Sequence, residues 1–301
     1  MTQPSHPLSV PSDEMGRVVM GCDFSSAPSR RKPIVLAWGH WNGGLQVQLD
    51  RWEYCANLVQ WEQVLSSKES AWVGGFDLPF GLPRALVESL GWPADWADCM
   101  AHYAQLSRDE IREQFAAYCA ARSAGRKMAH RAADGPAGSS PSMKWVNPPV
   151  AFMLHAGVPR LRAAQVHLPG LEQGDVRRVA LEAYPGWIAR QVLGRQSYKS
   201  DTRSRQDAAR AQARVQLLQA LERGESSLGL QLRMNDAQRE AILADAQGDA
   251  LDACICMLQA AWGARAHAQG DVLYGLPPEL DPLEGWIVSV PWPKEAGNAG
   301  A

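Results

Sequence analysis

The sequence predicts an α/β fold: a mixed sheet flanked by helices, interrupted by a largely helical insertion. Three observations carry this reading. Short β-branched or alternating runs follow one another through residues 17–53, with turn signals between them. Two more apolar runs end in acids, at Asp77 and Glu182. The intervening and following stretches are alanine-rich or show the 3.6-residue spacing of amphipathic helices.

Taken in order, RVVMGCDF (17–24) is a first strand ending in a carboxylate and a Ser-rich turn. PIVLAWGHW (33–41) is a second, and Asn42-Gly43-Gly44 supplies the turn into LQVQLDRWE (45–53). Together these make an antiparallel meander. Residues 55–68 place Leu58, Val59, Trp61, Val64 and Leu65 on one helical face. AWVGGFDLPFGLP (71–83) is a fourth strand ending at Asp77 and broken by Pro79, Gly81 and Pro83. Residues 84–170 read as the insertion, helical to about 130 and then a long Gly/Pro/Ser-rich loop over 131–149. VRRVALEAY (176–184) is a further strand, closed by Pro185-Gly186. Residues 203–223 and 236–245 are helical by composition, and 249–268 form a helix apolar around most of its circumference, hence buried. EGWIVSVP (284–291) reads as a last strand or a packed tail. The expected organisation is a loose leader over 1–16, one domain over 17–290 and a tail over 291–301.

Composition narrows the class. With 46% hydrophobic and 21% charged residues the chain has the balance of a soluble globular protein, and no apolar run reaches the length of about 18 that a membrane helix requires. The polar, proline-containing N-terminus lacks the order of a secretory signal. The six cysteines form no CxxC pair, so no zinc knuckle or dithiol redox centre is expected. They read as small buried residues of a reducing compartment, which points to the cytoplasm. A net charge of −2 excludes a wholly basic surface but not a basic patch.

The chemistry-bearing pattern is acidic. Asp23, Asp77 and Glu182 each stand at the end of a short apolar strand, and strand ends in one sheet converge in space. Asp249 and Asp252 are spaced i and i+3 at the head of the buried helix and share a face. Each acid alone has an ordinary explanation as a turn former or helix cap. As a set they suit a hard divalent cation, Mg²⁺ or Mn²⁺, which takes oxygen ligands and retains water. Two such ions about 4 Å apart are a known device for phosphodiester hydrolysis.

Seven segments together resemble a known family: GCDFSSAP (21–28), GGFDLPFGLP (74–83), VNPPVAFMLHAGVPRL (146–161), RRVALEAYPGWIARQVLG (177–194), YKSDTR (198–203), GDALDACICMLQAAW (248–262) and EGWI (284–287). They are similar to domain-of-unknown-function family 429, regarded as ribonuclease-H-like nucleases. The resemblance implies the ribonuclease-H-like fold of junction resolvases and transposases, with metal-binding carboxylates on the first strand, the fourth strand and a late helix. It implies Asp23 and Asp77 as strand ligands and Asp252, with Asp249, as the helix pair. Glu182 follows the fifth strand, where related nucleases need not carry an acid. The metal ligands expected are therefore Asp23, Asp77, Glu182 and Asp252, with Asp249 and Lys199 completing the catalytic set.

Around this set, Lys199 reads equally as a phosphate contact and as a surface lysine. Arg131 and Asp134 in HRAADG would reach the site from the long loop, or serve only as loop polarity. Nine basic residues lie between 177 and 214, and Arg203, Arg210 and Arg214 are spaced seven and four apart, as on one helical face. Such a stripe beside acids would attract a nucleic acid, with Arg131, Arg203, Arg210 and Arg214 as contacts; a solvated helix with internal ion pairs explains it as well. The twelve tryptophans sit in apolar segments and suit core packing better than base stacking.

The function expected is a metal-dependent nuclease acting on DNA or RNA. Two alternatives stand beside it. One is a phosphotransferase or ATPase of the actin-like superfamily, although DFSSAP lacks the glycines of its phosphate loop and no GxxxxGK[ST] is present. The other is a non-catalytic nucleic-acid-binding protein of the same fold.

Overall fold

Seven strands form a single mixed sheet in the order β5-β6-β4-β1-β2-β3-β7. The computed structural model describes residues 16–293. The leader and tail expected at the ends therefore lie, apart from Gly16 and residues 291–293, outside the described residues.

The meander is present: β1 (Arg17–Asp23), β2 (Ile34–Trp41) and β3 (Gln46–Cys55) pair antiparallel in sequence. Helix α1 (Leu58–Ser66) then returns the chain so that β4 (Trp72–Phe76) lies parallel to β1. The insertion supplies α2 (Arg84–Leu90), α3 (Trp96–Gln105), α4 (Arg108–Ala120), the single turn α5 (Asp134–Ala137) and α6 (Val150–Ala163). A two-residue edge strand, β5 (Val166–His167), precedes β6 (Asp175–Glu182), which pairs parallel with β4. After α7 (Pro185–Leu193) come α8 (Ala208–Arg223), β7 (Gln231–Arg233), α9 (Asp236–Ala244) and α10 (Asp249–Ala268).

Two edge strands come in addition to those expected, one open alternative is decided, and one helix boundary needs correction. The edge strands β5 and β7 are too short to leave a periodic signature. EGWIVSVP forms no strand; it is a buried tail whose Val288 N–H donates to the Glu182 carbonyl at 2.8 Å. The helix expected from 203 begins only at Ala208, because the Asp207 carboxylate accepts the Arg210 N–H at 2.8 Å and fixes the start there. Arg203 lies instead in a 3-10 turn over Arg203–Arg205.

Strand alternation divides the core in two. Val19, Val73, Val179 and Leu181 face α10, α7 and α8, whereas Met20, Cys22, Phe76 and Ala180 face α1 and the insertion. All six cysteines are free and buried, and six of the tryptophans, Trp38, Trp41, Trp61, Trp72, Trp96 and Trp286, are buried in the core. No helix among the described residues is long and apolar enough to cross a membrane.

Helix α10 lies across β1, β4 and β2. Glycine at two central strand positions makes that approach possible. A Cβ at Gly21 would stand 1.9 Å from the Ala253 carbonyl oxygen, and one at Gly75 would stand 2.3 Å from that of Cys256. Both obstacles are backbone, which cannot rotate aside. Gly21→Ala is therefore expected to cost about 3 kcal/mol, the upper end of the usual overpacking range, read as a lower urea midpoint at unchanged slope. A loss under about 0.5 kcal/mol would mean that α10 can lift from the sheet.

Candidate functional site

The register of the parallel strands brings the first two acids together. Cys22 pairs with Phe76, so the next residues, Asp23 and Asp77, are neighbours, and the Asp77 N–H donates to the Cys22 carbonyl at 2.9 Å. Both share the parity of Gly21 and Gly75 and point to the α10 side of the sheet. The glycine contacts seat the first turns of α10 there, and with them Asp252, which is fully buried, and Asp249, which is 9% exposed. Asp23 and Asp77 are half-buried.

Lys199 enters this cluster from the loop after α7. Its ammonium pairs with one Asp252 oxygen, and the Tyr198 hydroxyl donates to the other. The loop is pinned at several points. Arg214 donates to the Tyr198 carbonyl at 2.8 Å, and the Ser200 N–H donates to the Ala246 carbonyl at 3.1 Å. Gly248, at φ 79°, leaves room for Lys199, whose Cβ would otherwise meet a Gly248 side chain at 2.8 Å. Asp249 has Lys32 nearby, which itself pairs with Asp201.

Four acids thus share one end of the sheet with one half-buried lysine, and the electrostatics register the excess. Burial, and then the Asp252 charge, hold Asp23 well above the ordinary carboxylate range. The same two causes push Asp77 up to about 7. Burial raises Asp249 to about 6, with Asp245 and Asp252 adding to it. Burial opposes the Lys199 charge, but Asp252, Tyr198 and Asp23 outweigh it and push the ammonium well above its ordinary value. Tyr198 is likewise raised, by burial and then Asp252, so it stays a donor.

These shifts set a pH dependence. A carboxylate whose folded value exceeds its unfolded value favours the folded state fully below the unfolded value, and that contribution is lost as pH rises through the folded one. For Asp77 and Asp249 the loss runs from about pH 4 to about pH 7 and pH 6 respectively. Metal-free protein is thus expected to lose stability across this window relative to Asp77→Asn, whose melting temperature should fall less over the same range. Parallel pH profiles for the two proteins would remove the inference of mutual repulsion.

Glu182 does not join the cluster. It pairs with Phe76, one residue out of phase with Asp77, and so faces the insertion side of the sheet. There the guanidinium of Arg131 holds both its oxygens, at 2.7 and 2.8 Å, and the Phe80 N–H donates to it at 2.9 Å. In the protein alone its charge is thus met by Arg131, where a metal ligand was expected. Arg131, 3% exposed, also chelates Asp134 at 3.0 Å, so its guanidinium is occupied by two carboxylates and is not the free surface contact expected, although it borders the cavity beside the acids. Arg214, 5% exposed, braces the Lys199 loop instead of meeting solvent. Arg210 pairs with Asp207, and Arg203, outside the helix, is exposed. The basic stripe expected on α8 is therefore absent among the described residues.

Tyr198 is the site residue that sequence reasoning passed over, and Arg214, expected as a nucleic-acid contact, braces the site loop instead. Tyr198 had one signal, its place beside Lys199 in YKSDTR; the buried role of Arg214 had none, because its spacing suited an exposed face.

Beside the acids opens a cavity of about 670 Å³. Asp77, Asp252 and Lys199 stand at one part of its lining, Ser139, Pro148 and Met153 of the insertion at another, and Tyr184, Arg190 and Arg195 at a third. Among the described residues no three His, Cys, Asp or Glu side chains already stand close enough to grip an ion. In the protein alone, the Lys199 ammonium balances Asp252.

No curated protein and no solved structure shows significant similarity to the chain. A family model described as Protein of unknown function (DUF429) matches residues 21–279, most of the sequence, and the chain therefore belongs to that family.

Proposed function

We propose that the protein is a metal-dependent nuclease of ribonuclease-H-like design, hydrolysing phosphodiester bonds of nucleic acid at the acid cluster. One observation carries this reading: Asp23, Asp77, Asp249 and Asp252, from two strands and a late helix, meet beside an open cavity, and the carboxyl pKa values of Asp23, Asp77 and Asp249 are raised. Protein interiors do not gather like charges without a use for them, since an unmatched buried charge costs several kcal/mol.

The donor set fits a hard cation. All four groups are carboxylates, the ligands that Mg²⁺ and Mn²⁺ favour, and no soft thiolate or imidazole contributes. Asp23, Asp77 and Asp252 would hold it, with Asp249 at the margin. The chemistry such an ion supplies is Lewis-acid polarisation of a phosphoryl oxygen and activation of water. Binding requires these carboxylates to draw together and Asp252 to loosen its hold on Lys199. Tyr198 keeps Asp252 oriented meanwhile. The released ammonium remains at the cavity wall, where it would meet a phosphate oxygen. Glu182, neutralised by Arg131, stays outside this chemistry.

The test is cleavage of labelled DNA and RNA oligonucleotides in Mn²⁺. Activity should vanish in EDTA and fall on the order of 10³-fold in Asp23→Asn, with the circular-dichroism spectrum unchanged. An Asp23→Asn protein that cuts as fast as wild type would overturn the assignment. Binding of nucleic acid that is indifferent to metal, without cleavage, would mark a binding protein instead.

A further inference from the structure

We infer that the cavity beside the acids receives one unpaired nucleotide, so that the substrate is single-stranded nucleic acid and not duplex; this rests on the nuclease reading above. The first ground is size. At about 670 Å³ the cavity falls within the range of about 300–1,000 Å³ that encloses a small-molecule ligand. A base still paired within a duplex cannot enter such a space without leaving its partner.

The second ground is what encloses it. Part of the lining belongs to the insertion, through Ser139, Pro148 and Met153, and part to α7 and the loop that follows it. The two parts are tied together: Arg190 of α7 donates to the Gly138 carbonyl at 2.7 Å and to the Ala137 carbonyl at 3.1 Å. Gly138 permits this, because a Cβ there would stand 1.7 Å from the guanidinium. Asp77 and Asp252 therefore line a half-open recess between two tied segments, not a flat sheet edge along which a duplex could lie.

The third ground is the chemistry of the lining. Asp77 and Asp252, with Asp201 and the Arg131-paired Glu182, provide the acidic part. Arg190 bonds only carbonyls and the Tyr184 hydroxyl, and Arg195 makes no ion pair among the described residues, so two guanidinium charges remain without carboxylate partners. The ring of Tyr184 and the side chains of Met153 and Pro148 offer apolar surface between the charged parts. Guanidinium groups, apolar surface and acids in one lining match the phosphate, base and scissile ester of a single nucleotide. Stacking on such surfaces is open only to a base free of its partner.

The experiment compares one labelled oligonucleotide, longer than about 16 nucleotides, as a free strand and annealed to its complement, in DNA and RNA versions. Cleavage is followed in Mn²⁺ with the wild-type protein, and binding by fluorescence anisotropy with Asp23→Asn. The free strand should be cut roughly tenfold faster or more, and bound more tightly, because the duplex must first be unpaired. Arg195→Ala should raise KM for the free strand several-fold with little change in kcat. Equal or faster cutting of the duplex overturns this inference and leaves the nuclease reading standing, as does an unchanged KM in Arg195→Ala. Failure of the wild type to cut either form above the Asp23→Asn level removes both.

Discussion

Asp252→Asn is expected to move activity and stability in opposite directions. Cleavage in Mn²⁺ should fall on the order of 10³-fold, while in EDTA the variant should melt no lower than wild type. Asp252 is fully buried and is the largest charge acting on both Asp23 and Asp77. Its neutral isostere removes that repulsion and still offers an oxygen to the Tyr198 hydroxyl. The abandoned partner is not trapped either: the Lys199 side chain is 38% exposed and can turn to water. With metal the order should reverse. An ion at 100 times its dissociation constant stabilises wild type by about 2.7 kcal/mol, and the variant should forfeit most of that. Differential scanning calorimetry of both proteins, with Mn²⁺ and with EDTA, reads all four values. Should the variant melt far below wild type in EDTA, Asp252 is a structural partner of Lys199 and Tyr198, and the case for a cation site is lost.

That same arrangement shows where sequence reasoning reaches and where it stops. The meander, β4, β6 and α10 were legible because each has its own periodicity and its own turn residues. The acid cluster was legible in part: strand ends converge, and Asp249 and Asp252 share a helical face whatever the tertiary structure. Glu182 was not, because its direction depends on how β6 registers against β4. Phe76 opposite Glu182 puts the acid on one face; a shift of a single residue would have placed it with Asp77. No local pattern encodes that choice. The arginines failed for a related reason. Spacing showed Arg210 and Arg214 on one side of α8, but not that Leu243 and Tyr198 carbonyls would meet Arg214 there. Arg131 carried no pattern at all: its two carboxylates come one from its own loop and one from β6.

Arg131→Ala is expected to be the most destabilising of the substitutions considered, at about 3–5 kcal/mol. The contrast with Asp252 is physical. Arg131, Asp134 and Glu182 are respectively 3%, 1% and 3% exposed, so the two acids left behind cannot reach water as Lys199 can. Nor do their other partners suffice: Ser139 and one backbone N–H serve Asp134, and a single backbone N–H serves Glu182. Arg131 also donates to the Glu284 carbonyl at 3.0 Å, while Glu284 accepts N–H groups from Ala132 and Arg84 at 2.7 and 2.9 Å. The insertion, β6 and the buried tail are thus joined at one guanidinium. Urea titration should show the loss in full for Arg131→Met, and substantial recovery when Glu182→Gln and Asp134→Asn are added, since the neutral triad has no stranded charge. A cost under about 1 kcal/mol would show that water reaches the pair. Glu182→Gln alone should keep the stabilisation by Mn²⁺ that Asp252→Asn loses; if it does not, Glu182 exchanges Arg131 for the ion, and the separation of the acids into one structural and one chemical group fails.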